Sequence, residues 1–185
     1  ALRRAALGVI RTLIDAGLRL PLSEMIDAAY ATLPESVPSN GDATRSAVLE
    51  FVAGRLRSLL ASDAPTDIAD AVVAVTLDDL PSAPARVEVL DTMRSSEDFL
   101  PLAAGFKRVV NILKKAEEAG DTIGDAFDAS LSDADAERAL ADAWRTAGAQ
   151  VSDAVSSRDF ARAAHALIAM KAPIDAFFDD VMVNV

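Results

Sequence analysis

The sequence contains no cysteine, which excludes a disulfide framework and any zinc site built on thiolates. Histidine occurs once, at position 165, so neither a paired-imidazole metal centre nor a second His at ligand spacing is available. Aromatic residues make up only 5% of the chain. That scarcity argues against a β-sandwich, whose strands draw on aromatic and β-branched side chains. No apolar run approaches the roughly 18 residues needed to cross a bilayer; even the opening 20 residues are broken by Arg3, Arg4, Arg11, Asp15 and Arg19. Those arginines run through the apolar stretch instead of preceding it, which is not the order of a secretory signal. The expectation is a cytoplasmic protein with no membrane partner. Because Ala1 already stands inside a helical pattern, the sequence reads as a piece of a longer protein.

What is present is a chain of 185 residues, 51% hydrophobic with much of that share alanine, and 29 acidic against 18 basic residues for a net charge of -11. The length suits one domain or two small ones, burying roughly 70% of the unfolded surface. Alanine in quantity favours tightly spaced helices.

Helical spacing recurs along the whole chain. Leu2, Ala6, Val9, Leu13 and Ala16 form a first stripe, stopped by Gly17. Pro21 and Ser23 open a second helix reaching Leu33, and Pro34, Pro38 and Gly41 then make a loop. Asp42 or Thr44 caps a helix burying Val48, Phe51, Val52, Leu56 and Leu59. After Pro65 comes a stripe of Ile68, Val72 and Val75, and then a helix containing Val87, Leu90 and Met93. Ser96 caps a short turn, and Pro101 begins a long helix through Ala116. Residues 120–131 read as a loop with Phe127 as a buried anchor. Ser132 and Asp135 have capping-box spacing before a helix that buries Leu140, Trp144, Ala147, Val151 and Val155. Ser157 or Asp159 begins another helix, carrying Phe160, Ala164 and Leu167, and Pro173 opens the last, with Ile174, Phe177, Phe178 and Val181 on one side. The sum is an all-α bundle of about eight or nine helices without strands or exact repeats.

Within the long helix, FKRVVNILKKA at 106–116 combines an apolar stripe with one-sided charge. Phe106, Val109, Val110 and Leu113 recur at i, i+3, i+4 and i+7 and are expected to face a core. Lys107, Asn111 and Lys114 share one outer face, and Arg108, Asn111 and Lys115 another, with no acid before Glu117. Two readings fit: a solvated outer face complementing the helix dipole, or a surface for an anionic partner. Arg4 and Arg11, seven apart on the first helix, pose the same alternative.

Catalytic signatures are missing. Asp78–Asp79 and Asp179–Asp180 are adjacent carboxylates that point apart on a helix and suit solvation and capping. Asp133, Asp135 and Glu137 lack the glycine and twelfth-position glutamate of a calcium loop and suit a helix start. No Walker loop, GxGxxG or GxSxG turn occurs. These absences argue against a self-contained enzyme, and no catalytic residue or metal ligand is assigned.

Six segments, ALRRAALGVIRTLI at 1–14, EFVAGRLRSLL at 50–60, DIADAVVAV at 67–75, ARVEVL at 85–90, FKRVVNILKKA at 106–116 and IDAFFDDVMVNV at 174–185, resemble in order the C-terminal part of the beta subunit of bacterial glycyl-tRNA synthetase. The resemblance implies one helical domain over 1–185, akin to the anticodon-binding domain of arginyl-tRNA synthetase. It implies glycine-accepting tRNA and the alpha subunit as partners, with no DNA partner. ATP and Mg would be used by the complete enzyme and no cofactor by this chain, so the role is tRNA recognition and not the chemistry. Lys107, Arg108, Lys114, Lys115, Arg4 and Arg11 would meet phosphates, and Asn111 would read a base edge or cap a neighbouring backbone group. An assembly module without anticodon contact is the alternative. Two departures follow. Residues 61–66, ASDAPT, lack the family's glycine-aromatic turn, and the family continues past Val185 into a helix that packs back, which would leave an apolar side of the last helix open here. Tyr30, Phe99 and Trp144 are the candidates for base stacking, although helical spacing places Trp144 in the core.

Overall fold

The computed structural model describes residues 1–34, 36, 41–121, 124 and 127–181. Among them are nine α-helices, two short 3-10 turns and no strand, so the expected all-α architecture is observed. The chain divides into two compact units, Ala1–Asp91 and Thr92–Val185.

The first unit contains α1 (Leu2–Asp15), α2 (Leu22–Tyr30), α3 (Gly41–Leu60), α4 (Thr66–Thr76), a 3-10 turn at Leu80–Ser82 and most of α5 (Ala83–Arg94). Helix α3 is its axis, packing on α1, α2 and α4. Val52, Leu56 and Leu60 recur at i, i+4 and i+8, and all three are buried with Ile10, Leu13 and Val72. Burying each such side chain contributes about 1.5–3 kcal/mol. Gly17 stops α1 as anticipated: its φ of 63° is the left-handed conformation that glycine takes without steric cost. The Leu18 N–H then donates to the Leu13 carbonyl at 2.9 Å. Asp78, read as a capping carboxylate, accepts the N–H of Ser23 at 2.9 Å and so satisfies the start of α2.

Several details differ. On α1 the inward positions are Ile10 and Leu13 with Ala6 and Ile14, while Leu2 and Val9 are exposed. On α4 the inward set is Ile68, Ala69, Val72, Val73 and Thr76, and Val75 is exposed. The loop expected at Pro38 lies outside the described residues, and α2 ends at Tyr30, short of Leu33. Helix α3 begins at Gly41, so Asp42 and Thr44 lie within it instead of capping it.

The second unit contains α6 (Phe99–Ala119), a 3-10 turn at Ala129–Leu131, α7 (Asp135–Ser156), α8 (Phe160–Ile168) and α9 (Lys171–Asp180). Helix α7 packs on α8 and α9, and α9 on α6. Small residues set these approaches. Ala147 is buried on α7 and Ala143 is partly buried beside it. A Cβ at Gly105 of α6 would stand 3.0 Å from Ile174 Cγ2 on α9, so only glycine fits without displacing that neighbour. Leu102, Met170 and Ile174 complete the centre. Gly120, with φ of 82°, ends α6, and the Asp121 N–H donates back to the Ala116 carbonyl at 3.0 Å, a Schellman closure.

The start of α7 corrects the expected Ser132–Asp135 box. Glu137 is the residue that turns back: its Oε2 accepts the Ser132 hydroxyl at 2.9 Å, the Asp133 N–H at 2.9 Å and the Ala134 N–H at 3.1 Å. Asp135 instead pairs with Arg138 at 2.7 Å. The third helical position is where a carboxylate reaches the preceding backbone, and Glu has the length Asp lacks.

Candidate nucleic-acid interface

Helix α6 positions five of the seven candidate residues. Leu102 is buried, and Gly105, Phe106, Val109, Ile112 and Ala116 are partly buried along the same side. The expected stripe is therefore half right. Val110 is 60% and Leu113 42% exposed, because Ile112 takes the inward place and the close α6–α9 contact leaves a narrow buried sector. Lys107, Arg108, Asn111, Lys114 and Lys115 are all exposed.

They form two rows at i, i+3, i+7 spacing. One row contains Lys107, Val110 and Lys114; the other contains Arg108, Asn111 and Lys115. At 1.5 Å rise per residue the two cations of each row stand about 10 Å apart along the helix axis. Lys107 and Lys115 make no ion pair among the described residues. Lys114 approaches Glu118 at 3.9 Å with both side chains largely exposed, a pairing worth about 0.3–0.5 kcal/mol. Arg108 is held differently: its guanidinium carbon lies 3.8 Å from the centre of the Phe178 ring. The Asn111 side chain makes no hydrogen bond among the described residues.

Arg4 and Arg11 lie on α1 in the first unit, both exposed and on one side of that helix. They belong to a different compact unit from the α6 cations, and each set stands within its own unit. His165 is exposed on α8. Among the described residues no group of three or more His, Cys, Asp or Glu is placed to hold a metal ion.

Two aromatic assignments are overturned. Trp144, expected in the core, is 62% exposed, and Phe127, expected as a buried anchor, is 52% exposed. Both line a cleft of about 340 Å³ between α6, α7 and α9, together with Phe106, Leu140, Ile174 and Phe177. The same two rings border a neighbouring depression of about 430 Å³ that opens on Arg145 and Gly148. The signal that was available is the alanine series on α7: Ala136, Leu140, Ala143 and Ala147 already fill the inward line, leaving no room there for an indole. Phe177 and Phe178 meet edge to face, centroids 5.3 Å apart.

Comparison with known proteins identifies relatives along both units. Residues 1–74 match the family described as glycyl-tRNA synthetase beta subunit, and residues 102–185 match that of the DALR anticodon binding domain. The glycine–tRNA ligase beta subunit of Geobacter metallireducens is 38% identical over 183 residues, covering 99% of this chain and 26% of that protein. Its counterparts in Geobacter sp. strain M21 and Trichlorobacter lovleyi are 37% and 35% identical over the same shares. The chain thus spans about a quarter of the length of the curated relatives it matches.

Proposed function

We propose that this chain, which belongs to the glycyl-tRNA synthetase beta-subunit family, is a tRNA-binding module that engages the anticodon arm of glycine-accepting tRNA in support of glycylation by a larger enzyme. The observation that carries the reading is the exposed cationic surface of α6, free of acids from Phe99 to Ala116 in a chain of net charge -11, within the segment that matches the anticodon-binding family. Phosphate contact is the main source of RNA affinity. A local cationic surface supplies it where the protein as a whole repels. Lys107, Lys114 and Lys115 meet phosphate directly, and Arg108 does so at the expense of its ring contact. Asn111, exposed in the row with Arg108 and Lys115, is the α6 side chain suited to a base edge. Arg4 and Arg11 offer a second, weaker phosphate contact.

In this reading residues 1–185 work as one functional module, cytoplasmic, with the alpha subunit as protein partner. ATP and Mg belong to the complete enzyme. In this reading the chemical step belongs to the complete enzyme and this chain supplies tRNA contact. The exposed Val110 and Leu113 on the same helix favour one second reading, in which α6 docks on a protein partner. Co-purification with the alpha subunit in the absence of tRNA, abolished on replacing Val110 and Leu113 with polar residues, would support that reading.

The test is a salt titration of tRNA binding. Replacing Lys107, Arg108, Lys114 and Lys115 together by alanine is expected to weaken binding at least tenfold at low salt. It should also reduce the slope of log affinity against log salt by about 3–3.5, at roughly 0.7–0.9 for each of the four phosphates no longer neutralised. An unchanged affinity and slope would remove α6 from the interface.

A further inference from the structure

We propose that Trp144 is the stacking platform for one unpaired nucleobase of the bound RNA, seated in the cleft between α6, α7 and α9, with Lys107 and Lys114 holding the flanking phosphates. The inference rests on the tRNA-binding reading and adds to it a place and a chemistry for base contact.

Trp144 has most of its surface open to solvent, which is costly for the largest apolar side chain unless something covers it. It lies outside the inward alanine line of α7, and with Phe127 it borders two depressions. The indole therefore stands as a partition with open space beside it, which is the arrangement a stacking ligand requires. The cleft of about 340 Å³ lies at the small end of ligand sites, of a size to take one planar ring system. Phe106 and Phe177 supply further ring surface, and Leu140, Met170 and Ile174 the floor.

The one acidic group in the lining is Glu137, and its carboxylate is already occupied by the Ser132 hydroxyl and the N–H groups of Asp133 and Ala134. Its charge is thus turned toward the start of α7, where the backbone donors stabilise it. The remaining lining is apolar, so the site offers ring surface without a donor and acceptor pattern. Such a site holds a base by its face and discriminates weakly among bases.

Charge selects nucleic acid over a neutral occupant. Phe106 is followed by Lys107, and the row Lys107, Val110, Lys114 runs along the flank of α6 next to the Phe106–Val109 edge that enters the cleft. A base inserted between α6 and α7 carries its phosphates past that row. An apolar protein helix laid over the same cleft would crowd two ammonium groups at its edge, and only that of Lys114 has an acidic neighbour, Glu118.

The chain has a single tryptophan, so its fluorescence reports on Trp144 alone. The experiment titrates this 185-residue chain with an RNA stem-loop bearing the anticodon loop of glycine-accepting tRNA, and with the same stem-loop made abasic through the loop. The intact loop is expected to quench the emission by half or more, and the abasic loop to leave it nearly unchanged. Trp144→Ala should weaken binding of the intact loop about 5- to 150-fold, from about 1–3 kcal/mol per stacked base. It should leave the salt slope unaltered, and Trp144→Phe should recover most of the affinity. Because the side chain is exposed, thermal unfolding of Trp144→Ala should match the parent.

Salt-dependent binding with no change in emission and no loss in Trp144→Ala would overturn the stacking proposal and leave the tRNA reading standing. Failure of the chain to bind either stem-loop or whole tRNA would overturn both. Oxidative footprinting of the full-length subunit that finds Trp144 shielded before RNA is added would also overturn it, since a polypeptide segment would then occupy the cleft.

Discussion

Arg108 is the cation on α6 whose role the structure makes quantitative. Its guanidinium carbon lies 3.8 Å from the centre of the Phe178 ring on α9, while the side chain as a whole is exposed and Phe178 partly buried. An exposed cation–π contact contributes about 0.5–1 kcal/mol. Arg108→Ala, Phe178→Leu and the double variant form a cycle that isolates this contact, since leucine keeps the apolar packing but removes the ring face. The double variant should be less destabilised than the sum of the two singles by about 0.5–1 kcal/mol. That lies above the roughly 0.3–0.5 kcal/mol within which unconnected sites add. Urea unfolding at fixed salt measures it. The same energy bears on RNA binding, because moving Arg108 to a phosphate forfeits the ring. Arg108→Ala should therefore weaken tRNA binding two- to fivefold less than Lys107→Ala, that factor being the cation–π energy converted at 1.4 kcal/mol per tenfold. A coupling energy indistinguishable from zero, or equal losses for the two alanine variants, would refute the claim that Phe178 holds Arg108.

Three further outcomes test the fold. Leu56, fully buried at the centre of the first unit, should cost about 3–5 kcal/mol as Leu56→Ala, read by chemical denaturation; a loss under about 1 kcal/mol would mean that α3 is not the axis of that core. Gly120→Ala should cost about 1 kcal/mol through its positive φ, whereas Gly8→Ala, on the exposed side of α1 with open space around it, should be neutral or stabilising by up to about 1 kcal/mol; equal effects in thermal unfolding would contradict the left-handed closure of α6. The Ala134 N–H first, and then the Ser132 hydroxyl, hold the Glu137 carboxyl below the usual glutamate value. A depressed value contributes stability that is present above the unfolded value, about 4.3, and is lost as pH falls through the folded one. Glu137→Gln should therefore be less stable than the parent at pH 6, with the gap closing toward pH 3, and a gap independent of pH would contradict the capping role.

Much of the architecture was legible because its signals are local. Gly17 and Gly120 end helices through backbone freedom, Asp159 caps α8 by accepting the Arg162 N–H at 3.0 Å, and the 3.6-residue period shows wherever Leu, Ile and Val dominate a face. Enzyme motifs were absent from the sequence, and six family segments pointed to the relatives that the chain matches. The cations of α6 were legible as exposed, since they lie opposite the apolar stripe and no acid precedes Glu117. Their neighbours in space were not. Nothing local in the sequence says that Phe178 lies under Arg108, or that Glu137 rather than Asp135 turns back on the start of α7. Both depend on side-chain reach, and the first also on a meeting of helices distant in the chain.

The apolar misassignments have one physical origin, and it is also the origin of the candidate site. A hydrophobic stripe is read as a wide sector of a helix facing its neighbours, with the largest side chains innermost. Here alanine on α7 and Gly105 on α6 bring the helix backbones close, and a close approach narrows the sector that is covered. Small residues occupy the contact line, while Trp144, Val110 and Leu113, one position off that line, are displaced to its edges. Aromatic and aliphatic surface then collects around the cleft mouth, and on α6 the adjoining positions are lysines. A bundle packed through alanine and glycine therefore leaves an apolar cleft beside a cationic row. On a chain of net charge -11, RNA bound as proposed would gain both ring and cation contact at this face and would meet repulsion over most of the remaining surface.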